Sequence, residues 1–290
     1  MPEPVVAVLG TGRMGSAIAR RLAASGYRLV LWNRTVDKAK ALAGELGAEV
    51  TREPFDAVQR AQYAILALAD DDAVYSVIGR FHRVDGLIVV DTSTITPQTS
   101  RRVAGYLEGL GACYVEAPIV GGPRAVESGQ AIGIVAGKPT CLSMASGLLR
   151  DLFAETIEVG EDTGAAAALK LSFNLLLIST IESLAEATAL SEAYGVPPEV
   201  LHKLLSKTVF AAFADKYMER MRREPDGKAS FTLALAEKDL EYAARAAFHA
   251  GIPVPGVLGA KTAYSYARLE GLGGEDYTRV YHVFRRARRA

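Results

Sequence analysis

Apolar residues come in two patterns along this chain, and the change from one to the other divides it. Val5-Val6-Ala7-Val8-Leu9 is an unbroken apolar run that leads straight into Gly10-Thr11-Gly12-Arg13-Met14-Gly15. Short β-branched runs without alternation are the mark of strands covered on both faces. Residues 16–25 then read as a helix stopped by Gly26, and Tyr27-Arg28-Leu29-Val30-Leu31-Trp32 as a second strand. The alternation continues with a helix over 37–46, closed by Gly47, and a buried strand over 63–68. Leu87-Ile88-Val89-Val90 is the next strand, and Thr96-Pro97 opens a helix that runs to Gly111. Residues 113–119, 131–135 and 156–159 are the remaining strand candidates. Strands separated by helices of about a dozen residues predict an α/β fold, a Rossmann-type doubly wound parallel sheet.

Beyond Gly164 the strand-like runs stop. Helical segments follow over 165–194, 198–206, 212–222, 232–250 and 254–269. Gly195-Val196-Pro197-Pro198 and Pro225-Asp226-Gly227 mark turns between them. The pattern predicts an NADP-binding Rossmann domain over 1–161 and an all-helical substrate and oligomerisation domain over 162–290. The 165–194 helix is apolar almost all round, which predicts the central strut of an all-helical second domain. Its most apolar part, 165–184, is interrupted by Lys170, Asn174 and Glu182, which favours a buried helix over a membrane span.

The glycine-rich turn supplies the first candidate chemistry. The N-terminus of a helix carries unpaired N–H groups and the positive end of the macrodipole, and both suit a pyrophosphate. Gly10 permits the tight turn, Gly12 the close approach of phosphate, and Gly15 the packing of helix on strand. A carboxylate about 20 residues further on would bind the ribose 2′-hydroxyl of NAD. This chain places Asn33-Arg34-Thr35 there instead. A guanidinium pairs with a 2′-phosphate, and Asn and Thr add neutral hydrogen bonds, so NADP is the expected cofactor, with NAD as a second choice.

Composition narrows the class without changing it. Lys plus Arg and Asp plus Glu number 33 each, so no net charge argues for nucleic acid or an anionic membrane as partner. The basic run Arg285-Arg286-Ala287-Arg288-Arg289 reads as a solvated helix end. The cysteines, Cys113 and Cys141, have no metal-site spacing and no disulfide framework, and Cys113 reads as a buried thiol. The start of the chain carries Glu3 and no basic region, so no signal peptide is expected and the location reads as cytoplasmic. His82, His202, His249 and His282 lie outside every motif and form no metal-ligand spacing.

Lys170 and Asn174 stand four apart on the apolar helix, hence on one face. A lysine there is costly to desolvate unless something pairs with it. With Gly10-Thr11-Gly12-Arg13-Met14-Gly15, Trp32-Asn33-Arg34-Thr35 and Asp91-Thr92-Ser93-Thr94-Ile95, they complete a recognisable set. Glu116-Ala117-Pro118-Ile119-Val120-Gly121-Gly122, the stretch from Gly164 to Asn174, and Lys238-Asp239-Leu240 belong to the same set. The chain resembles the β-hydroxyacid dehydrogenase family over essentially its whole length. That family includes 3-hydroxyisobutyrate dehydrogenases, tartronate and glyoxylate/succinic semialdehyde reductases and L-serine 3-dehydrogenases, and this set looks closest to the last.

The resemblance implies roles position by position. Lys170 falls on the catalytic lysine and Asn174 on the residue that orients it and the substrate. Ser93 falls on a substrate-binding position, and the backbone N–H groups of Gly121 and Gly122 on substrate-carboxylate positions. Leu68, Ala69, Thr94 and Lys238 fall on cofactor-contacting positions, and Asp239 on one that fixes local geometry or simply forms an exposed pair with Lys238. The chain departs from the family's Asp-Ala-Pro-Val-Ser-Gly-Gly at Glu116 and Val120, the second removing a hydroxyl donor. Ala166 replaces a glycine, and Gly129-Gln130-Ala131 replaces Gly-Thr-Leu. The implied reaction moves a hydride between NADP and the 3-hydroxyl of a small 3-hydroxy acid. L-Serine, giving 2-aminomalonate semialdehyde, and 3-hydroxyisobutyrate are the leading substrates, with a semialdehyde reductase as the alternative. Imine reductases usually lack the lysine, and 6-phosphogluconate dehydrogenases are longer chains. A non-catalytic NADP-binding sensor is the alternative of another class. A homodimer or homotetramer is expected.

Overall fold

A computed structural model describes residues 4–223 and 229–287. Glu3, the Pro225-Asp226-Gly227 turn and Arg288-Arg289 lie outside the described residues. The chain forms two compact units, 1–170 and 171–290.

Unit 1 is built on a six-stranded parallel sheet. Its strands are β1 Val5–Leu9, β2 Arg28–Trp32, β3 Glu49–Val50, β4 Tyr63–Leu66, β5 Ile88–Asp91 and β6 Cys113–Glu116, in the order β3-β2-β1-β4-β5-β6. Helices α1 Arg13–Ala24, α2 Val36–Leu46, α3 Pro54–Val58, α4 Asp71–Ile78 and α5 Pro97–Gly109 connect them. Successive strand residues enter different cores. Val6, Val8, Leu31, Ile65, Val90 and Val115 share one, while Ala7, Leu9, Val30, Leu66, Val89 and Tyr114 share the other. This is the period-two alternation of a sheet covered on both faces.

The register brings the strand ends level. Leu9 pairs with Trp32 and Leu66, Leu66 with Asp91, and Asp91 with Glu116, so five strands finish in one row. Gly10–Gly15, Asn33–Thr35, Thr92–Ile95 and Ala117–Gly122 each follow a strand end of that row in the chain. In open α/β sheets this carboxyl edge, where the strand order reverses, is where ligands bind.

The expected strand over 113–119 is in fact two. Pro118 has no N–H to give a ladder, so β6 ends at Glu116 and β7 Ile119–Val120 begins a second, smaller sheet. There β7 pairs antiparallel with β8 Ile132–Val135, which pairs parallel with β9 Glu155–Glu158. Helices α6 Pro123–Glu127 and α7 Pro139–Leu152 flank it in the chain. The reading of Cys113 as a buried thiol is also corrected. Cys113 on β6 and Cys141 on α7 form a disulfide, with Cα atoms 5.3 Å apart, inside the range such a bridge spans.

Helix α8, Ala165–Ala193, begins in unit 1 and continues into unit 2. It is followed by α9 Pro198–Leu205, α10 Ala211–Arg222, α11 Leu233–His249, α12 Pro255–Leu269 and α13 Tyr281–Ala287. No strand follows β9 among the described residues. In unit 2, Ile178, Ile181, Leu184 and Ala185 of α8 join Met218, Met221, Leu240, Tyr264 and Tyr281 in one core. The helix is long and apolar enough to cross a membrane by composition alone, yet it also buries Lys170, Asn174, Glu182 and Thr188. Part of its surface is open. Leu169, Phe173, Leu176 and Leu190 are exposed, Leu176 by 66 %.

Candidate active site

The glycine-rich turn is held by its own backbone and by Asn33. Gly10 N–H donates to the Trp32 carbonyl at 2.8 Å, which ties the turn to the end of β2. Thr11 N–H donates to Asn33 Oδ1 at 3.0 Å, and Asn33 Nδ2 donates to the Thr35 carbonyl at 2.9 Å. Ser16 Oγ donates to the Thr11 carbonyl at 3.1 Å.

The three glycines differ in what they answer to. Gly10 has φ +103° and lies so close to the Ala67 carbonyl that a Cβ would overlap it. A Cβ on Gly15 would overlap the Gly10 carbonyl. At Gly12, the N-cap of α1, a Cβ would meet nothing within 4 Å. Packing therefore explains Gly10 and Gly15 but leaves space over Gly12. Beside it, Thr11 Oγ1 is buried with no hydrogen-bond partner among the described residues. A cradle over a helix N-terminus, floored by amides and one unsatisfied hydroxyl, fits a dinucleotide pyrophosphate. Arg13 is exposed and Met14 packs half-buried against the core, while Arg34 and Thr35 are exposed at the start of α2.

The ends of β4 and β5 are laced together. Ser93 Oγ accepts the Leu68 N–H at 3.0 Å, and Ser93 N–H donates to Asp91 Oδ1 at 2.9 Å. Thr92 Oγ1 donates to the Leu66 carbonyl at 2.7 Å. The Ser93 side chain also hydrogen-bonds the Asp91 carboxylate. Ala69 is exposed and Thr94 half-buried beside them. Burial pushes the Asp91 carboxyl up to about 7, against hydrogen bonds from Ser93 that favour its charged form. The next turn is fixed by Asp71, which accepts Thr96 N–H at 2.9 Å and Thr96 Oγ1 at 2.8 Å.

Gly121 has φ +137°, and a Cβ on it would press on Ala125 and Ala131. Gly122 is the N-cap of α6, with Pro123 as the first helical residue and open space where its own Cβ would be.

The remaining candidates lie on α8 and α11. Lys170 is only 8 % exposed and Asn174, one turn further, 4 %. Asn174 Nδ2 donates to Asp239 Oδ2 at 2.6 Å. Asp239 is 2 % exposed, and its Oδ1 lies 3.1 Å from Lys238 Nζ. Lys238 Nζ also sits 4.8 Å above the Tyr242 ring. The alternative of an exposed Lys238–Asp239 pair is thus corrected, since the carboxylate is buried between an ammonium and an amide.

The structure brings Gly10–Gly15, Asn33, Leu68 and Ser93 to one sheet edge in unit 1. In unit 2 it joins Asn174, Asp239 and Lys238. Asp91 and Glu116, which the sequence shows only as parts of motifs, are buried neighbours in the sheet register. The histidines stay apart from this set. His202 pairs with Asp215 at 2.8 Å and, with Glu199, Glu219 and Arg222, lines a cavity of about 530 Å³ that contains none of the candidate residues. No cluster able to hold a metal ion occurs among the described residues.

Two family models account for nearly the whole chain. Residues 5–160 match the NAD-binding domain of 6-phosphogluconate dehydrogenase, and 164–284 match the NAD-binding region of NADP-dependent 3-hydroxyisobutyrate dehydrogenase. An uncharacterised oxidoreductase of Bacillus subtilis, YfjR, is 31 % identical over 94 % of this chain and 96 % of its own. Glyoxylate/succinic semialdehyde reductase 1 of Arabidopsis thaliana is 26 % identical over 98 % of this chain and 99 % of its own. In fold, a 3-hydroxyisobutyrate dehydrogenase of Mycobacterium tuberculosis solved with L-serine superposes with a TM-score of 0.86 at 24 % identity, covering 98 % of this chain and 99 % of its own. The chain belongs to the β-hydroxyacid dehydrogenase family and is an NAD(P)-dependent hydroxyacid dehydrogenase of the 3-hydroxyisobutyrate dehydrogenase and semialdehyde reductase type.

Proposed function

We propose that the enzyme oxidises the 3-hydroxyl of a small 3-hydroxy acid, L-serine or 3-hydroxyisobutyrate, with NADP preferred and NAD as a second cofactor. One observation carries this reading. A lysine amine is withdrawn from solvent on a helix, and the asparagine one turn later is locked by a buried carboxylate. Desolvation favours the neutral amine, which is the form that can take a proton.

In the direction of oxidation, Lys170 Nζ removes the hydroxyl proton, and in reduction it returns it. Asn174 gives its amide to Asp239 and so offers Oδ1 to the lysine or the substrate hydroxyl. The N–H groups of Gly121 and Gly122 hold the substrate carboxylate, and Ser93 completes the substrate contacts. When bound, NADP supplies the hydride acceptor. Gly10, Thr11, Gly12, Arg13, Met14 and Gly15 hold its pyrophosphate, and Arg34 and Thr35 its 2′-phosphate. Asn33 braces that loop, while Leu68, Ala69, Thr94 and Lys238 complete the cofactor contacts. From L-serine the product is 2-aminomalonate semialdehyde, a β-aldehydic acid that loses its carboxyl group as CO₂.

L-Serine draws support from the molecule named with the M. tuberculosis enzyme. A second reading, reduction of glyoxylate or of succinic or tartronate semialdehyde, draws support from the Arabidopsis relative. Residues 1–161 serve the cofactor and 162–290 the substrate and assembly. The exposed Leu176, Leu190, Phe248 and Leu269 give a second copy apolar surface to cover, in line with a homodimer or homotetramer in the cytoplasm.

The test is NADP reduction followed by absorbance against L-serine, 3-hydroxyisobutyrate, 3-hydroxypropionate and glycerate. Lys170→Ala should keep NADP affinity and lower kcat by about 100-fold or more. Turnover with none of the four acids, or wild-type turnover in the variant, overturns the reading.

A further inference from the structure

Glu116 ends β6 and is 1 % exposed, too deep to meet a substrate. Its side chain instead receives backbone amides from the start of α8. Gly164 N–H and Ala166 N–H donate to Oε2 at 2.8 and 3.1 Å, and Ala167 N–H donates to Oε1 at 3.2 Å. First-turn amides have no carbonyl to pair with inside their own helix. Usually a Ser, Thr, Asp or Asn at the N-cap serves them. Here Gly164 stands at the helix start with φ +99°, and a Cβ there would lie 2.8 Å from the Pro97 carbonyl. The helix has no room for a capping side chain of its own and takes a carboxylate from a strand instead. Negative charge at that end also suits the macrodipole.

The carboxylate is itself held in a buried network. Glu116 stands opposite Asp91 in the sheet register. Asp91 Oδ2 accepts the Tyr114 hydroxyl at 3.3 Å, and that hydroxyl lies 3.3 Å from Ser100 Oγ, whose side chain also hydrogen-bonds Glu116. On α5, Arg101 pairs with Asp162 at 2.9 Å and acts on Glu116 through its charge. Burial raises both carboxyls, and the amides from α8 pull Glu116 back toward its charged form.

We propose that Glu116 is a positioning residue for the reaction: by gripping the first-turn amides of α8 from β6, it fixes where that helix presents Lys170. The role rests on Lys170 being the acid/base. Misplacing a catalytic group by about 1 Å can cost about 100-fold in rate, even when the change lies away from the chemistry. Glu116→Gln keeps the length but sets an NH₂ among N–H donors. Glu116→Asp keeps the charge.

The experiment measures kcat, KM and NADP Kd on the full chain, with L-serine or 3-hydroxyisobutyrate, for E116Q, E116D, S100A and K170A. In E116Q, kcat should fall about tenfold or more with KM and Kd within about twofold, and E116D should recover part of the loss. Wild-type kcat in E116Q, or a loss carried by KM and Kd, overturns the proposal. If E116Q does not fold, a lower kcat at unchanged KM in S100A supports the role, and wild-type kcat in both S100A and E116D overturns it. Lost turnover in K170A beside wild-type kcat in E116Q overturns the positioning role alone. Retained turnover in K170A instead removes the assignment of the lysine.

Discussion

Asn174 Nδ2 donates to Asp239 Oδ2 across 2.6 Å, and this one bond decides which way the asparagine faces. An ionised carboxylate only accepts, so the NH₂ must lie on its side and the carbonyl on the other. The site therefore receives an acceptor from Asn174, suited to an ammonium or a hydroxyl.

An exchange of the two residues tests that polarity. Asp239→Asn alone should lower kcat about tenfold, because the amide of residue 174 loses its charge-assisted anchor. The double variant N174D/D239N restores a carboxylate–amide bond but turns it round. Its melting temperature should return toward wild type while kcat does not. Recovery of both in the double variant would show that orientation is irrelevant.

The glycines of the turn should separate packing from binding. G15A drives a methyl into the Gly10 carbonyl and should cost about 1–3 kcal/mol of stability, as overpacking does. G12A meets no protein atom, so its melting temperature should stay within about one degree of wild type, whereas its NADP Kd should rise at least tenfold, about 1.4 kcal/mol. Calorimetry and a fluorescence titration read the two effects independently.

Cofactor choice is best probed at Arg34 alone. Asn33 has both ends of its amide engaged, by Thr11 N–H and the Thr35 carbonyl. An Asp at that position would face the Thr35 carbonyl with an oxygen and disturb the loop as well as the charge. R34A should lower kcat/KM for NADP by about tenfold to 100-fold, the worth of charge-assisted bonds to a phosphate, and leave NAD nearly unchanged. Equal losses with both cofactors would refute a role in selection.

Asp91 gives the protein a stability that depends on pH. Its carboxyl, raised to about 7 by burial, binds a proton in the folded state over a range where the unfolded chain has released it. The contribution is complete below the unfolded value near 4 and is lost as pH climbs through about 7. Glu182, pushed to about 7 by burial and by Glu186, acts in the same sense. The melting temperature should therefore fall from pH 5 to pH 8, and D91N should flatten part of that decline. An unchanged slope in D91N would locate the titration elsewhere.

Much of this was legible in the residues alone, because the signals concerned are local. The large sheet, the glycine-rich turn and the helices after Gly164 follow from runs, periods and caps within a few residues. What stayed hidden depends on pairs far apart in the chain. Asn174 meets Asp239 across 65 positions, and Cys113 meets Cys141 across 28. Asp91 and Glu116 become neighbours only through register, and nothing near Glu116 announces that its amide partners begin at Gly164. Helix α4 gives little sign of itself in the sequence because it is short, with Asp70 capping it by accepting Ala73 N–H and Asp71 and Asp72 in its first turn. Those residues, read in isolation, resemble a loop.

The flush row formed by Leu9, Trp32, Leu66, Asp91 and Glu116 has a consequence for how new specificity can arise. Because the row is level, the residues that follow it can change without altering the register of the large sheet, provided that Ile119 and Val120 keep the pairing of β7 with β8. Grafting a Ser in place of Val120 retunes what the enzyme grips while the large sheet beneath stays in register.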